Sequence, residues 1–313
     1  MVAIQLFQID EKGIYIMILG AIEAGGTKII CGIGDENGHL IEKVHFPTLA
    51  PEETIPEIIN YFKDKDIVAL GIGTFGPVDV NINSKTYGYI LDSPKVGWSM
   101  YPLLDELKKY IHVPMMIDTD VNGAALGESL WGIAKDKPSC IYITIGTGVG
   151  AGYCSDKKLL HGLLHPEMGH IMLKQHKDDD FAGICRFHGN CLEGLASGPA
   201  IEKRFNTKAI NLEETHLAWE IEAYYIAQAL MNYTLILSPH QIILGGGVMK
   251  QQQLFPLIRK NFKELMNGYI NKPELMEHID DYIVYPGLGD HSGTYGSLAL
   301  ATLLIENLHI EKG

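Results

Sequence analysis

ILGAIEAGGTKIICGI, residues 18–33, is the stretch whose reading decides the fold. Two apolar runs rich in β-branched residues, from Ile16 to Ala21 and from Ile29 to Ile33, flank Gly25-Gly26-Thr27, which reads as a β-hairpin. Glycine at such a turn lets backbone N–H groups approach an anion, and Thr27 and Lys28 add a hydroxyl and a positive charge. Any hairpin can carry Gly-Gly, so this motif alone decides little. It has a counterpart. A strong strand pattern over Cys140–Ile145 runs into GTGVGAGY, residues 146–153, where Gly146, Thr147 and Gly148 repeat the device before a return strand. Two such hairpins, each heading its own half, suggest a duplicated unit that closes on a nucleotide.

The segments between them alternate strand and helix patterns. Leu40–Phe46 reads as a strand, 53–62 as a helix begun by Pro51 and Glu52, and Ile67–Gly73 as a buried strand entering the turn TFGPVD. SPKVGW (Ser93–Trp98) precedes a helix expected from about Ser99. Lys95 and Trp98 there could meet a sugar, with a surface loop around a packed Trp as the equal alternative. Val113–Ile117 reads as a strand ending in DTDVNGAALGE, with a helix expected over 122–133. Asp120, at a strand end beside a helix N-terminus, can serve as general base for a substrate hydroxyl. Asp is also a good N-cap, so a structural reading of Asp120 stays open. Further on, LASGPA begins a helix near Pro199, 214–237 reads as a helix apolar on one face, and 252–267 is helical. Ile242–Leu244 opens onto Gly245, Gly246 and Gly247, where a flat purine could lie against the backbone. Tyr282–Tyr285 reads as a strand and Ser292–Leu304 as a closing helix.

HPEMGH (165–170) and CRFHGNCLE (185–193) supply a different chemistry. His170, Cys185, His188 and Cys191 are two imidazoles and two thiols, a tetrahedral structural-zinc set, and the two-residue gaps among the last three let one tight turn present them together. Four protein ligands leave no open position for a catalytic zinc, and there is no HExxH helix. Zinc here is expected to hold a loop and to position the neighbouring Glu167 and Glu193.

Composition narrows the classes. A chain of 313 residues suits two domains, and 46% hydrophobic with 20% charged residues describes a folded globular protein. The net charge of −13 repels nucleic-acid phosphates and anionic membranes. Five cysteines, an odd number split between apolar stretches and one polar loop, fit a reducing cytoplasm better than a disulfide framework. No apolar run reaches the length of a membrane span. Residues 1–16 read as an extension before the domain proper, with Met17 a second candidate start.

Taken together, EAGGTK, TFGPVD, SPKVGW, DTDVNGAALGE, IGTGVG, HPEMGH, CRFHGNCLEG, LASGPA and LGGGV, in this order and spacing over about residues 17–306, resemble the ROK family of sugar kinases, and most closely its bacterial fructokinase branch. The resemblance implies a ribonuclease-H-like, actin/hexokinase-type α/β fold of two lobes, the first over 17–120 completed by the closing helix at 290–306, the second over 121–289. It makes Asp120 the general base. Gly25, Gly26, Thr27 and Lys28 become the first phosphate segment, Gly146, Thr147 and Gly148 the second, and Gly245–Gly247 the adenosine segment. Lys95, Thr119, Glu167, His170 and Glu193 fall at sugar positions, and a homodimer is implied. Glu23, Thr119, Lys95 and His188 depart from the glucokinase pattern toward fructokinase. The expected reaction is transfer of the γ-phosphoryl of ATP, with Mg²⁺, to the 6-hydroxyl of D-fructose, Glu23 being a group that could reach the metal through water. Mannose, glucose or N-acetylmannosamine remain alternative acceptors. A sugar-responsive regulator of the same family would need a DNA-binding segment longer than the 16 residues here, and a zinc hydrolase is disfavoured by the closed ligand set.

Overall fold

The computed structural model describes residues 7–9 and 15–310. Of the extension expected over 1–16, residues 1–6 and 10–14 lie outside the described residues. Phe7–Ile9 forms β1, antiparallel to the start of β2, with Phe7 opposite Met17. The chain divides into two compact units, 1–132 with 158–165 and 291–313, and 133–157 with 166–290.

In the first unit β2 (Tyr15–Ala24), β3 (Lys28–Asp35) and β4 (Leu40–Pro47) form an antiparallel meander, and β5 (Ala69–Thr74) and β6 (Met115–Thr119) add parallel to β2, giving the order β4-β3-β2-β5-β6. Strand periodicity sorts the side chains of β2: Ile18, Ile22 and Ala24 enter a core with α1 (Pro51–Phe62) and α2 (Leu103–Lys108), while Leu19 and Ala21 face the closing helix. Both faces are covered, which is why β2 reads as a continuous apolar run. The closing helix (Ser292–Ile310), α10 below, extends beyond the expected end at 304, and it packs with α3 (Asp120–Leu130). Gly123, Gly127 and Gly296 permit that crossing: a Cβ on Gly296 would lie 2.2 Å from the carbonyl carbon of Gly123. This packing keeps α3 in the first unit, past the boundary expected at 120. The same unit includes a two-residue strand, β9 (Lys158–Leu159).

Other helix bounds also differ from the sequence reading. The helix expected from Ser99 begins at Leu103, because Met100 holds a left-handed φ of 54° and Pro102 precedes the first turn. α3 stops at Leu130 and not at 133.

In the second unit β7 (Ser139–Ile145) and β8 (Val149–Ser155) are antiparallel, and β10 (Gln241–Gly245) and β11 (Ile283–Val284) add parallel to β7 in the order β11-β10-β7-β8. The short helices α4 (Leu192–Ala196) and α5 (Gly198–Phe205) lead to the long α6 (Ala218–Leu237), which packs on α7 (Leu254–Met266). Two single-turn helices, α8 (Pro273–Met276) and α9 (Ile279–Tyr282), precede β11. α6 is buried around most of its girth, Ile221, Glu222 and Ala223 in succession among them, and not on one face only. Trp219, Tyr225 and Leu230 anchor it in the core. Among the described residues no helix is long and apolar enough to cross a membrane.

Candidate active site and metal cluster

The carboxyl ends of β2, β5 and β6 gather the polar groups of the first unit, the end of a parallel α/β sheet where ligands bind. The β2–β3 turn is closed by the Gly25 N–H donating to Lys28 O at 3.0 Å, and braced by Thr48, whose hydroxyl donates to Gly25 O at 2.7 Å. Thr27 and Lys28 stand exposed at its tip. Lys95 donates to the carbonyl of Gly26, so this side chain lies on the hairpin. Trp98 does not face a ligand: it is fully buried against Phe75 and Tyr101, and its indole N–H donates to Leu49 O at 2.8 Å. Glu23 accepts a 2.6 Å hydrogen bond from the Thr294 hydroxyl, and burial pushes its carboxyl above the usual range.

Asp118 and Asp120 bracket the β6–α3 junction. Thr119 is the N-cap of α3, its hydroxyl accepting from Asn122 N–H at 3.1 Å. Its hydroxyl is thereby engaged and only 3% of the residue is exposed, which sets it back from a direct sugar contact. The capping role weighed for Asp120 thus falls to Thr119, and Asp120 sits half-buried in the first turn, with Oδ1 accepting from Val121 N–H at 2.9 Å. Asp118 is buried. Its Oδ1 accepts from Thr119 N–H and Asn122 Nδ2, both at 2.7 Å, and its Oδ2 from His161 Nε2, also at 2.7 Å.

In the second unit the β7–β8 hairpin closes through Gly146 N–H donating to Gly148 O at 2.9 Å. A Cβ on Gly146 would meet Gly247 N at 3.7 Å, so the hairpin and the Gly245–Gly247 turn are neighbours. Gly246 holds φ +92°, and a Cβ there would strike Ile145 O at 2.4 Å; the backbone itself requires this glycine. The first N–H of α5, that of Gly198, donates to Gly146 O at 2.8 Å. Glu193, in α4, accepts from Val149 N–H at 3.1 Å and lies against Gly148. Glu167, exposed, ends the turn before the 3₁₀ helix Met168–His170.

His170, Cys185, His188 and Cys191 come together, their ligand atoms all within 4.8 Å of one another. Cys185 Sγ lies 3.8 Å from His170 Nδ1 and 3.7 Å from His188 Nδ1, and Cys191 Sγ lies 3.5 Å from His170 Nδ1. Tetrahedral bonds of about 2.3 Å to sulfur and 2.0–2.1 Å to nitrogen put such pairs about 3.6 Å apart, so the group fits a zinc-sized ion. Reciprocal hydrogen bonds between Cys185 and Gly189 close the loop, with Gly189 at φ +66°. Burial pushes the Cys191 thiol up to about 11, so a cation is what would hold it as thiolate.

The family model for the ROK family matches residues 19–303. The chain belongs to the ROK family. A Bacillus subtilis (strain 168) protein is 53% identical over 284 residues, 91% of this chain and 95% of its own. The fructokinase of Pediococcus pentosaceus is 47% identical over 291 residues, 93% of this chain and 100% of that one. A ROK family glucokinase from Streptomyces griseus, solved with glucose and AMPPNP, superposes with a TM-score of 0.71 at 25% identity, covering 92% of this chain and 99% of that one. The two hairpins and the Cys/His cluster of this ROK chain were open to sequence reading. His161, His165, Thr294 and Ser197 were not: each meets its surroundings through residues far away in the chain or, for Ser197, sits as a fully buried hydroxyl at the N-cap of α5.

Proposed function

We propose that this ROK chain is an ATP-dependent fructokinase that transfers the γ-phosphoryl group of ATP to the 6-hydroxyl of D-fructose. The observation that carries the reading is the 47% identity to the Pediococcus pentosaceus fructokinase along that protein's whole length. Asp120 and the first glycine hairpin at one sheet end, and the second hairpin beside the Gly245–Gly247 turn, support it within each unit. Phosphoryl transfer asks a protein for positioning and charge neutralisation more than for covalent chemistry. Asp120 accepts the proton of the attacking hydroxyl. The N–H groups of Gly26–Thr27 and Thr147–Gly148 hold phosphate oxygens, those of Gly25 and Gly146 closing the turns themselves, with Lys28 adding charge, and Gly245–Gly247 faces the adenosine. Lys95, Thr119, Glu167, His170 and Glu193 are assigned to the sugar side, with Thr119 acting through the α3 cap.

Among the described residues, the Cys/His cluster is the only group of three or more His, Cys, Asp or Glu side chains arranged to hold a metal ion. Mg²⁺ arrives with ATP, held by phosphates and water, with Glu23 the carboxylate next to the first hairpin. Bound Mg²⁺ would neutralise phosphate charge. The cluster takes Zn²⁺, which fixes the loop. We assign the protein to the cytoplasm and to a homodimer, the latter to be read from light scattering after gel filtration.

The test is ADP release with ATP and Mg²⁺ against fructose, mannose, glucose, N-acetylmannosamine and no sugar. Fructose should lead. Release led by another hexose would keep the kinase and overturn the acceptor, and no sugar-dependent release from folded protein would overturn both.

A further inference from the structure

His161 lies outside every segment assigned above. Asp118 Oδ2 accepts its Nε2 proton at 2.7 Å, while the carboxylate's other oxygen takes the donors of Thr119 and Asn122. Three donors thus fix a carboxylate that is 1% exposed. A carboxylate so held fixes the ring plane and puts the proton on Nε2 whether the imidazole is neutral or charged, and the raised affinity of His161 for its second proton follows from that bond first. Nδ1 is left as the working edge, on a side chain that is 35% exposed. The chain around it is pinned twice to the carboxyl ends of the strands. His161 is held at β6, and His165 Nε2 accepts from Val78 N–H at 3.2 Å in the turn after β5. Between the two pins Leu163 is 93% exposed.

We propose that His161 is a further sugar-contacting residue: Asp118, two residues before Asp120, orients its ring so that Nδ1 meets a hydroxyl of the acceptor hexose. This rests on the kinase reading above. A pin alone would need only the Nε2 contact. A ring held at one edge by a buried, fully engaged carboxylate, on a side chain that is still 35% exposed, is built to present a polar atom in a fixed direction. A hexose hydroxyl both donates and accepts, so it pairs with Nδ1 in either protonation state.

His161→Gln separates contact from pin. Its amide nitrogen reaches where Nε2 stands and keeps the bond to Asp118, but nothing replaces Nδ1. We expect His161→Gln and His161→Ala to raise KM for fructose about tenfold or more, the cost of one lost hydrogen bond to substrate, while KM for ATP stays within about twofold. The thermal midpoint of His161→Gln should match wild type. A wild-type KM for fructose in His161→Gln would overturn the proposal and leave the ring as a pin. A second measurement covers a variant that does not fold: in wild-type protein with nitrogen-labelled histidine, fructose added without nucleotide should shift the His161 Nδ1 resonance, and ribose should not. No shift with fructose overturns the proposal. If the wild type releases no ADP with any hexose, the kinase reading fails by itself, and the resonance still decides whether His161 meets a sugar.

Discussion

Glu193 accepts a hydrogen bond from the backbone N–H of Val149 at 3.1 Å, and it stands two residues after Cys191. The metal cluster and the second glycine hairpin are therefore joined by one turn of α4, whose N-cap is Cys191 itself. Loss of the ion should therefore be felt at the hairpin. We expect one zinc per chain by plasma mass spectrometry. Cys185→Ser, or chelation, should lower the thermal midpoint and cut kcat/KM by on the order of 100-fold, since a misplacement of about 1 Å in a binding group costs that much. Full activity in a zinc-free, folded Cys185→Ser variant would sever the link.

Asp120→Asn keeps an oxygen to accept from Val121 N–H, so α3 should start as before. What it removes is the proton acceptor. Turnover with fructose should fall by about 10²–10⁴-fold, with binding of a non-hydrolysable ATP analogue unchanged by calorimetry. A variant with wild-type kcat would take Asp120 out of the reaction.

How much of this was legible follows the distance between partners. The hairpins were readable because turn and strands are contiguous, and the cluster because Cys185, His188 and Cys191 share one tight loop. The pair Asp118–His161 spans 43 positions and Glu23–Thr294 spans 271, and no local pattern announces either. The choice of Thr119 over Asp120 as cap is a contest between adjacent good capping residues, which composition cannot decide. Trp98 reads equally as a sugar contact or as a packed indole, and its bond to Leu49 O, 49 residues away, decides for packing. Glycine contacts were the least visible. A Cβ on Gly71 would lie 1.8 Å from Ser297 O in the closing helix, a contact across more than 200 residues of sequence.

Those glycine contacts give a stability prediction. At Gly71 and Gly296 the obstructing atoms are backbone, which cannot turn aside as a flexible side chain would. Gly71→Ala and Gly296→Ala should each cost about 3 kcal/mol or more, near the upper end of overpacking effects. Gly26→Ala, where a Cβ meets nothing within 4 Å, should change stability by less than about 0.5 kcal/mol. Urea unfolding of the three variants checks the ranking, and equal midpoints would contradict the α10 packing described here.

The last prediction concerns Glu222, in the middle of α6. It is 0% exposed, and neither carboxylate oxygen has a hydrogen-bond partner. Burial raises its pKa well above the usual carboxylate value, with the nearby Arg204 charge pulling only partly the other way. The sign is fixed by linkage. The folded chain binds this proton more tightly than the unfolded chain, whose glutamates titrate near about 4.3. The neutral form is thus accommodated at low pH, and stability falls as pH rises from there toward the folded-state value. Glu222→Gln holds a neutral isostere at every pH. Its urea midpoint should match wild type below about pH 4 and exceed it at pH 8, the gap opening as pH rises through about 4.3. The difference between the two proteins matters here, because other groups shift both curves together. A Glu222→Gln variant less stable than wild type at pH 8 would mean that the carboxylate is charged in the core, held there by Arg204.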